Sequence, residues 1–179
     1  MIAWTDGAYS GTYNWLGIST AYQLNQRSAI TAIWNGSLSG NATNTTGTPL
    51  LQNNSQISNL LYAFSSDRWG INPYFQYTVV PANPSIGISG VSSTQGIGLL
   101  ATYRITPLVE GQPAQKNISL PFRLEYLNTS GNSGTVSNNL LYGPNSAAWS
   151  ATLTPTIQNG PYFARLEGSY VRANNYSNG

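Results

Sequence analysis

The stretch PFRLEY, residues 121–126, alternates strictly between apolar and charged residues after its proline. Successive side chains of a β-strand point to opposite faces, so the aromatic and aliphatic residues share one side, and Arg123 and Glu125 share the other. This pattern predicts a strand with one face toward an apolar medium and the other toward water.

The same alternation recurs along the chain, while helical signals are nearly absent. No segment keeps a 3.6-residue apolar period over three turns, because Gly, Pro, Asn and Thr interrupt every window. The predicted strands are Thr12–Tyr22, Ser28–Ser37, Ile57–Ser66, Asn72–Val80, Gln95–Ile105, Leu120–Asn128, Ala148–Ile157 and Tyr162–Arg172. Their lengths of about 9–11 residues suit a tilted strand that crosses a bilayer, whereas soluble strands average about 5–6 residues.

The composition favours a wall between lipid and water over a soluble surface. Charged residues make up 7% of the 179 residues, against about 25% in soluble domains. The net charge of +2 and the scattered basic residues exclude a nucleic-acid footprint. The chain has no His and no Cys, so it lacks the commonest general base and metal ligand and all thiolate chemistry. We expect no metal and no cofactor.

The connections between the predicted strands alternate in length. Gln23–Arg27 and Asp67–Ile71 are short, and Asn159-Gly160 is predicted to be a two-residue type I′ hairpin turn. The long connections are Leu38–Gln56, Pro81–Thr94 and Thr129–Ala147, with Thr106–Ser119 intermediate. Short turns on one side and long loops on the other predict an all-β, antiparallel, up-and-down transmembrane β-barrel of about eight strands.

The second half of the chain contains an ordered series of strand-like segments. The segments are IGLLATYR at 97–104, PFRLEY at 121–126, LYGP at 141–144, WSATLTPT at 149–156 and PYFARLE at 161–167. In this series the chain resembles the OmpL-like β-barrel porins of bacterial outer membranes, and AITAIWNG at 29–36 fits the same pattern. The resemblance implies a channel for small solutes across the outer membrane and brings no catalytic residues.

We expect the chain to be part of a longer barrel. It begins without a secretory signal peptide, and Asn178-Gly179 does not end a closing, aromatic-terminated strand of the kind such barrels have. We predict a single β-barrel domain, residues 1–179, that lacks at least one strand at each end. The sheet would then be open, with unpaired edges at Thr12–Tyr22 and Tyr162–Arg172.

Charged residues on the polar sides of the strands are the candidate lumen-lining set. These residues are Arg104, Arg123, Glu125, Arg165 and Glu167. They either set the ion preference of a pore or form an interior salt-bridge network. Glu125 and Glu167 could also be read as the paired carboxylates of a glycosidase. Each lies two residues from an Arg, which favours the ionised form, and no base with an orienting partner is present, so we do not expect an enzyme.

Aromatic residues near the strand ends predict a girdle at the two membrane interfaces. The candidates are Tyr103, Tyr126, Trp149, Tyr162 and Tyr170. Tyr162 and Tyr170 are eight residues apart on one face, which spans roughly 19 Å of depth at ~3.3 Å per residue and ~45° tilt. Stacking platforms for sugars are the alternative.

The sequence therefore predicts an outer-membrane porin-like channel for passive diffusion of small solutes or ions. Its expected partners are outer-membrane lipid and those solutes, with no nucleic acid, and a homo-oligomer is left open. A secreted, soluble β-sandwich that serves as a binding or adhesion module is the alternative, because such a fold also produces alternating strands and polar loops.

Overall fold

The fold was obtained as a computed structural model that describes residues 2–5, 13–45, 49–106, 117–131 and 145–175. Within these residues the chain is all-β, as predicted, and forms one antiparallel sheet. The strands are β1 (Ile2–Thr5), β2 (Tyr13–Asn25), β3 (Ser28–Ser37), β4 (Gln56–Ser65), β5 (Trp69–Val80), β6 (Ser92–Arg104), β7 (Asn117–Ser130), β8 (Ala147–Leu153), β9 (Thr156–Asn159), β10 (Tyr162–Arg165) and β11 (Gly168–Asn174). The short helix α1 (Leu50–Asn53) and a 3₁₀ turn (Pro84–Ile86) lie in the loops. In the described residues no helix has the length and apolarity to cross a membrane.

Neighbouring strands in the sheet are neighbours in the chain from β1 to β8, as in an up-and-down arrangement. Strand β8 then pairs with β11, and β9 lies between β7 and β10. The register is unbroken from Thr156 opposite Arg165 to Leu153 opposite Gly168. Strands β8 and β9 are therefore two parts of one predicted strand, Ala148–Ile157, and β10 and β11 are two parts of Tyr162–Arg172.

Proline explains the interruption of these strands. Pro155 has no backbone N–H to donate to the ladder, although its carbonyl still accepts a hydrogen bond from the Leu166 N–H at 3.1 Å. Pro121 of β7 likewise accepts from the Thr154 N–H at 2.9 Å. The strands thus pass through these sites with their register intact and with fewer ladder bonds.

The sheet is open, as predicted. No ladder joins β11 to β1 or β2 within the described residues. The expectation of an unpaired Thr12–Tyr22 edge is wrong, because β1, which the sequence analysis does not predict, pairs with the start of β2. Thr12 itself and the LYGP segment at 141–144 lie outside the described residues.

The hairpin between β9 and β10 differs from the predicted turn. Asn159 pairs with Tyr162, so the two turn residues are Gly160 and Pro161, not Asn159 and Gly160. Gly160 has a φ of 58°, whereas a proline ring holds φ near −65°. A type I′ turn needs positive φ at both central residues, so the predicted type is wrong, and glycine at the first position fits type II′.

Asparagine side chains organise the long connection between β3 and β4. The amide nitrogen of Asn54 donates to the carbonyls of Asn41 at 2.8 Å and Leu50 at 2.7 Å, and its oxygen accepts from the Asn41 N–H at 2.8 Å. Asn53 donates to the Thr43 carbonyl at 3.1 Å. Buried amides thus satisfy backbone groups around α1, a turn of helix that the alternating pattern does not predict.

Candidate functional site

The register of the central strands defines two faces of the sheet. Gly98 of β6 is opposite both Tyr74 of β5 and Glu125 of β7, and Glu125 is opposite Ser150 of β8. Residues paired across antiparallel strands project to the same side. We call the side that carries Arg123 and Glu125 the polar face and the side that carries Leu124 the apolar face.

Large apolar side chains are exposed on the apolar face from β2 to β11. Examples are Ile18, Ile30, Leu60, Phe75, Ile97, Leu124, Trp149, Leu153, Ile157 and Leu166. Ile97 is 58% exposed and Leu166 is 75% exposed. Leu61, Leu100, Phe163 and Val171 are exposed apolar residues of the polar face. Monomeric soluble proteins rarely leave a contiguous surface of this kind uncovered.

Glu125 is the centre of a hydrogen-bonded network on the polar face. Its carboxylate accepts hydrogen bonds from the Tyr74 hydroxyl and from the Ser150 hydroxyl, the latter at 3.1 Å. The Arg123 Nε lies 3.1 Å from Glu125 Oε2. Three strands, β5, β7 and β8, therefore contribute to one carboxylate, and the positive charge of Arg123 is compensated there.

Gly98 leaves room for the Tyr74 side chain to reach Glu125. Strand β6 lies between Tyr74 and Glu125, so the Tyr74 side chain must cross it to reach the carboxylate. A Cβ on Gly98 would overlap the Tyr74 ring and hydroxyl. The absence of a side chain at this position lets the tyrosine lie flat against the backbone of β6.

Arg104 lies far from this network, at the end of the sheet where the short turns are. It is six positions from Gly98 along β6, or about 20 Å at ~3.3 Å per residue. Its Nη1 donates to the Ser66 carbonyl at 2.8 Å. The guanidinium passes over Gly70, whose added Cβ would lie 3.5 Å from Arg104 Nη2.

Arg165 and Glu167 are exposed, and they take no part in the Glu125 network or in the contacts of Arg104. Arg165 is opposite Thr156, Thr156 is opposite Ser119, and Ser119 is opposite Arg104, so the two arginines share one row across the polar face. Among the five predicted lumen-lining residues, Arg123 and Glu125 thus form one ion pair, and Arg104, Arg165 and Glu167 lie outside it. Their predicted role in a lumen remains a prediction.

Glu125 and Glu167 do not face each other as catalytic carboxylates would. Glu125 is opposite Ser150, and the partner of Ser150 on β11 is Val171, four positions along the chain from Glu167. In the described part of the chain no three His, Cys, Asp or Glu side chains are grouped as metal ligands.

The candidate girdle residues all lie on the apolar face. Tyr126 packs on Trp149 with ring centroids 4.6 Å apart, and Tyr103 packs on Trp69 at 4.8 Å. The Tyr103 pair lies beside the turn between β4 and β5, and the Tyr126 pair lies toward the long loops. Tyr162 and Tyr170 are 80% and 68% exposed. Their role at an interface stays a prediction.

Sequence reasoning missed Tyr74, Gly98 and Ser150 as partners of Glu125, and it missed Arg68 beside Arg104. Each contact crosses between strands, and the pairing register cannot be read from one strand alone. The alternation of the Gln95–Ile105 segment does place a glycine on the polar face, which marks a close approach of another group.

An open antiparallel sheet with one apolar face and one polar, charged face defines a β-barrel wall as the class of protein to which this chain corresponds. The family model described as "Putative beta-barrel porin-2, OmpL-like" matches residues 1–179, the whole chain. The chain belongs to this OmpL-like porin family, as its resemblance implies. No curated protein and no solved structure matches it.

Proposed function

We propose that this protein forms the wall of an outer-membrane channel through which small solutes or ions diffuse passively. The exposed apolar face of the sheet is the observation that carries the proposal. Burial of apolar surface stabilises a fold by about 25 cal/mol per Å², and this sheet gains that stabilisation only if lipid covers the face. Membership of a porin-like family agrees with this assignment.

The polar face would line the water-filled lumen. Its Ser, Thr and charged side chains are hydrated there, and its strands keep the alternation of lipid-facing and lumen-facing residues that such barrels require. In this arrangement Arg104, Arg123, Glu125, Arg165 and Glu167 face the solute path. The stacked pairs Tyr126–Trp149 and Tyr103–Trp69 would lie toward the two membrane interfaces.

A secreted β-sandwich is the alternative, and the apolar face argues against it. A sandwich buries the inner faces of two sheets against each other at about 10 Å. The described residues form one sheet, and its large apolar side chains are exposed. A chain that folds in water without detergent or lipid, in a soluble monomeric state, would favour the sandwich.

The test is conductance in a planar lipid bilayer. We expect the purified, refolded protein to change its gel mobility on heating, as a folded barrel does, and to produce discrete conductance steps. Heat-denatured protein from the same preparation is the control and should produce none. Folded, membrane-inserted protein that never conducts would contradict the channel function.

A further inference from the structure

The charges of the polar face are distributed unevenly along the strands. Arg123 is compensated by Glu125 in the middle of the sheet. Two other arginines lie at the short-turn end, where Arg104 ends β6 and Arg68 lies in the turn between β4 and β5. Asp67 precedes Arg68 in that turn, so these three residues carry a net charge of +1, whereas the Arg123–Glu125 pair is neutral.

Arg68 and Arg104 form a crossed pair. The Arg104 N–H donates to the Arg68 carbonyl at 2.7 Å, so the two residues are direct neighbours across β5 and β6. The Arg104 side chain reaches back to the Ser66 carbonyl at 2.8 Å, and the Arg68 side chain reaches forward to the Ile105 carbonyl at 3.4 Å. Backbone carbonyls therefore hold both guanidinium groups at the same edge.

Carboxylates do not neutralise this pair within the described residues. Asp67 precedes Arg68 in the chain, yet the ion pair found among the described residues is Arg123–Glu125, in the middle of the sheet. Both guanidinium groups place a positive charge at this edge of the sheet, and a bound anion would lower their electrostatic free energy.

We propose that Arg68 and Arg104 form a binding site for small oxyanions, with carboxylate or phosphate groups, at the short-turn mouth of the channel. The inference rests on the proposed function. A guanidinium presents five donors in a rigid fork that matches the oxygens of such anions, and each fork here uses one donor on a carbonyl. Anionic solutes would be concentrated at this mouth before they enter the lumen.

The first test compares the wild type with the Arg68→Gln/Arg104→Gln double variant in planar bilayers under a KCl gradient at about 0.1 M, where the screening length is about 10 Å. We expect the chloride-to-potassium permeability ratio to fall at least roughly fivefold, because removal of even one unit charge met at about 4 Å in water changes the local ion concentration by that factor. Arg172→Gln is the control, because Arg172 lies on the apolar face opposite Trp149. An unchanged ratio in the double variant, or an equal fall in the control, overturns the site.

The second test uses inorganic phosphate as the probe. We expect phosphate to reduce the chloride conductance of the wild type in a saturable way and to leave the double variant unaffected. The Arg68→Lys/Arg104→Lys variant keeps the charge without the fork, so it should retain the chloride preference and lose most of the phosphate block. Equal block of the wild type and the double variant contradicts the site.

Lipid headgroups carry the same phosphate chemistry, and a galactolipid bilayer without phosphate separates the two sources. We expect the effect of the double variant to persist there; its loss would place the arginines on lipid and overturn the solute site. Heat-dependent gel mobility verifies that each variant is folded. Failure of the channel itself would appear differently, as a wild type that does not conduct.

Discussion

At the residue scale, two glycines determine where the long polar side chains of the polar face can lie. Tyr74 crosses the strand at Gly98 to reach Glu125, and Arg104 crosses at Gly70 to reach the Ser66 carbonyl. Glycine within a strand lacks a side chain for packing and costs conformational entropy. In both places the cost is offset by contacts that link two or three strands.

The first prediction, at the residue scale, is the effect of Gly98→Ala on the stability of the protein. Alanine should stabilise an open strand position by about 0.5–1 kcal/mol relative to glycine, but here its Cβ overlaps the Tyr74 ring. We expect the substitution to destabilise the protein by about 1–3 kcal/mol, the usual cost of overpacking. Reversible urea unfolding in lipid vesicles measures the change.

Gly96→Ala is the matched control, because Gly96 lies on the same strand and face, and among the described residues an added Cβ would meet only the Tyr126 carbonyl oxygen, at 3.8 Å. It should be neutral or stabilising. When Tyr74 is already alanine, Gly98→Ala should cost no more stability than Gly96→Ala, because the ring that its Cβ would overlap is absent. Equal effects at Gly96 and Gly98 would show that Tyr74 does not cross at Gly98.

The sequence identifies the charged residues of the polar face but not their partners. Arg123 and Glu125 are two apart on one strand, so their proximity follows from local alternation. The contacts of Glu125 with Tyr74 and Ser150 depend on the register of three strands, which side-chain packing and loop geometry set together. Arg68 was missed because a residue in a turn has no alternating pattern that assigns its face.

At the element scale, the strands keep their faces through sites where the ladder is incomplete. Thr154 and Pro155 separate β8 from β9, and Leu166 and Glu167 separate β10 from β11, yet the residue pairing continues in the same register. Alternation in the sequence predicts the faces correctly on both sides of the break. It does not predict the break, because side-chain pattern carries no information on backbone hydrogen bonds.

The second prediction concerns Leu166→Arg. Leu166 is on the apolar face, six residues beyond Gly160, or about 14 Å above the turn at ~3.3 Å per residue and ~45° tilt, near the middle of a ~25 Å lipid band. A charge there should destabilise the protein by about 2–4 kcal/mol. Unfolding in lipid vesicles measures the effect.

Thr154→Arg is the control for this substitution. Thr154 lies within one position of the same depth, but on the polar face, where the register places it opposite Glu167. We expect it to be tolerated much better than Leu166→Arg. If both variants lose the same stability, lipid does not cover the apolar face and the assignment of the two faces is wrong.

At the scale of the whole molecule, strand alternation and composition were sufficient to predict an all-β, antiparallel sheet. The first strand and the turn of helix α1 were missed because β1 has four residues, too few for a periodic signal, and α1 is held by amide contacts distant in the chain. The hairpin type failed for a local reason, the fixed φ of Pro161. The alternating sequence pattern therefore could not predict nonlocal contacts or very short elements.

The crossed pair of Arg68 and Arg104 should also make the size of the current depend on its direction. Fixed positive charge at one mouth and a compensated ion pair further along make the two ends of the path unequal. Ions driven inward from the charged mouth arrive from a reservoir enriched in anions, whereas those driven the other way do not. Such a pore should act as a rectifier, passing more current at one voltage polarity than at the other in symmetric salt. The asymmetry should be clear at about 0.1 M and fade at about 1 M, where the screening length falls to about 3 Å; a straight current–voltage line at both concentrations would contradict it.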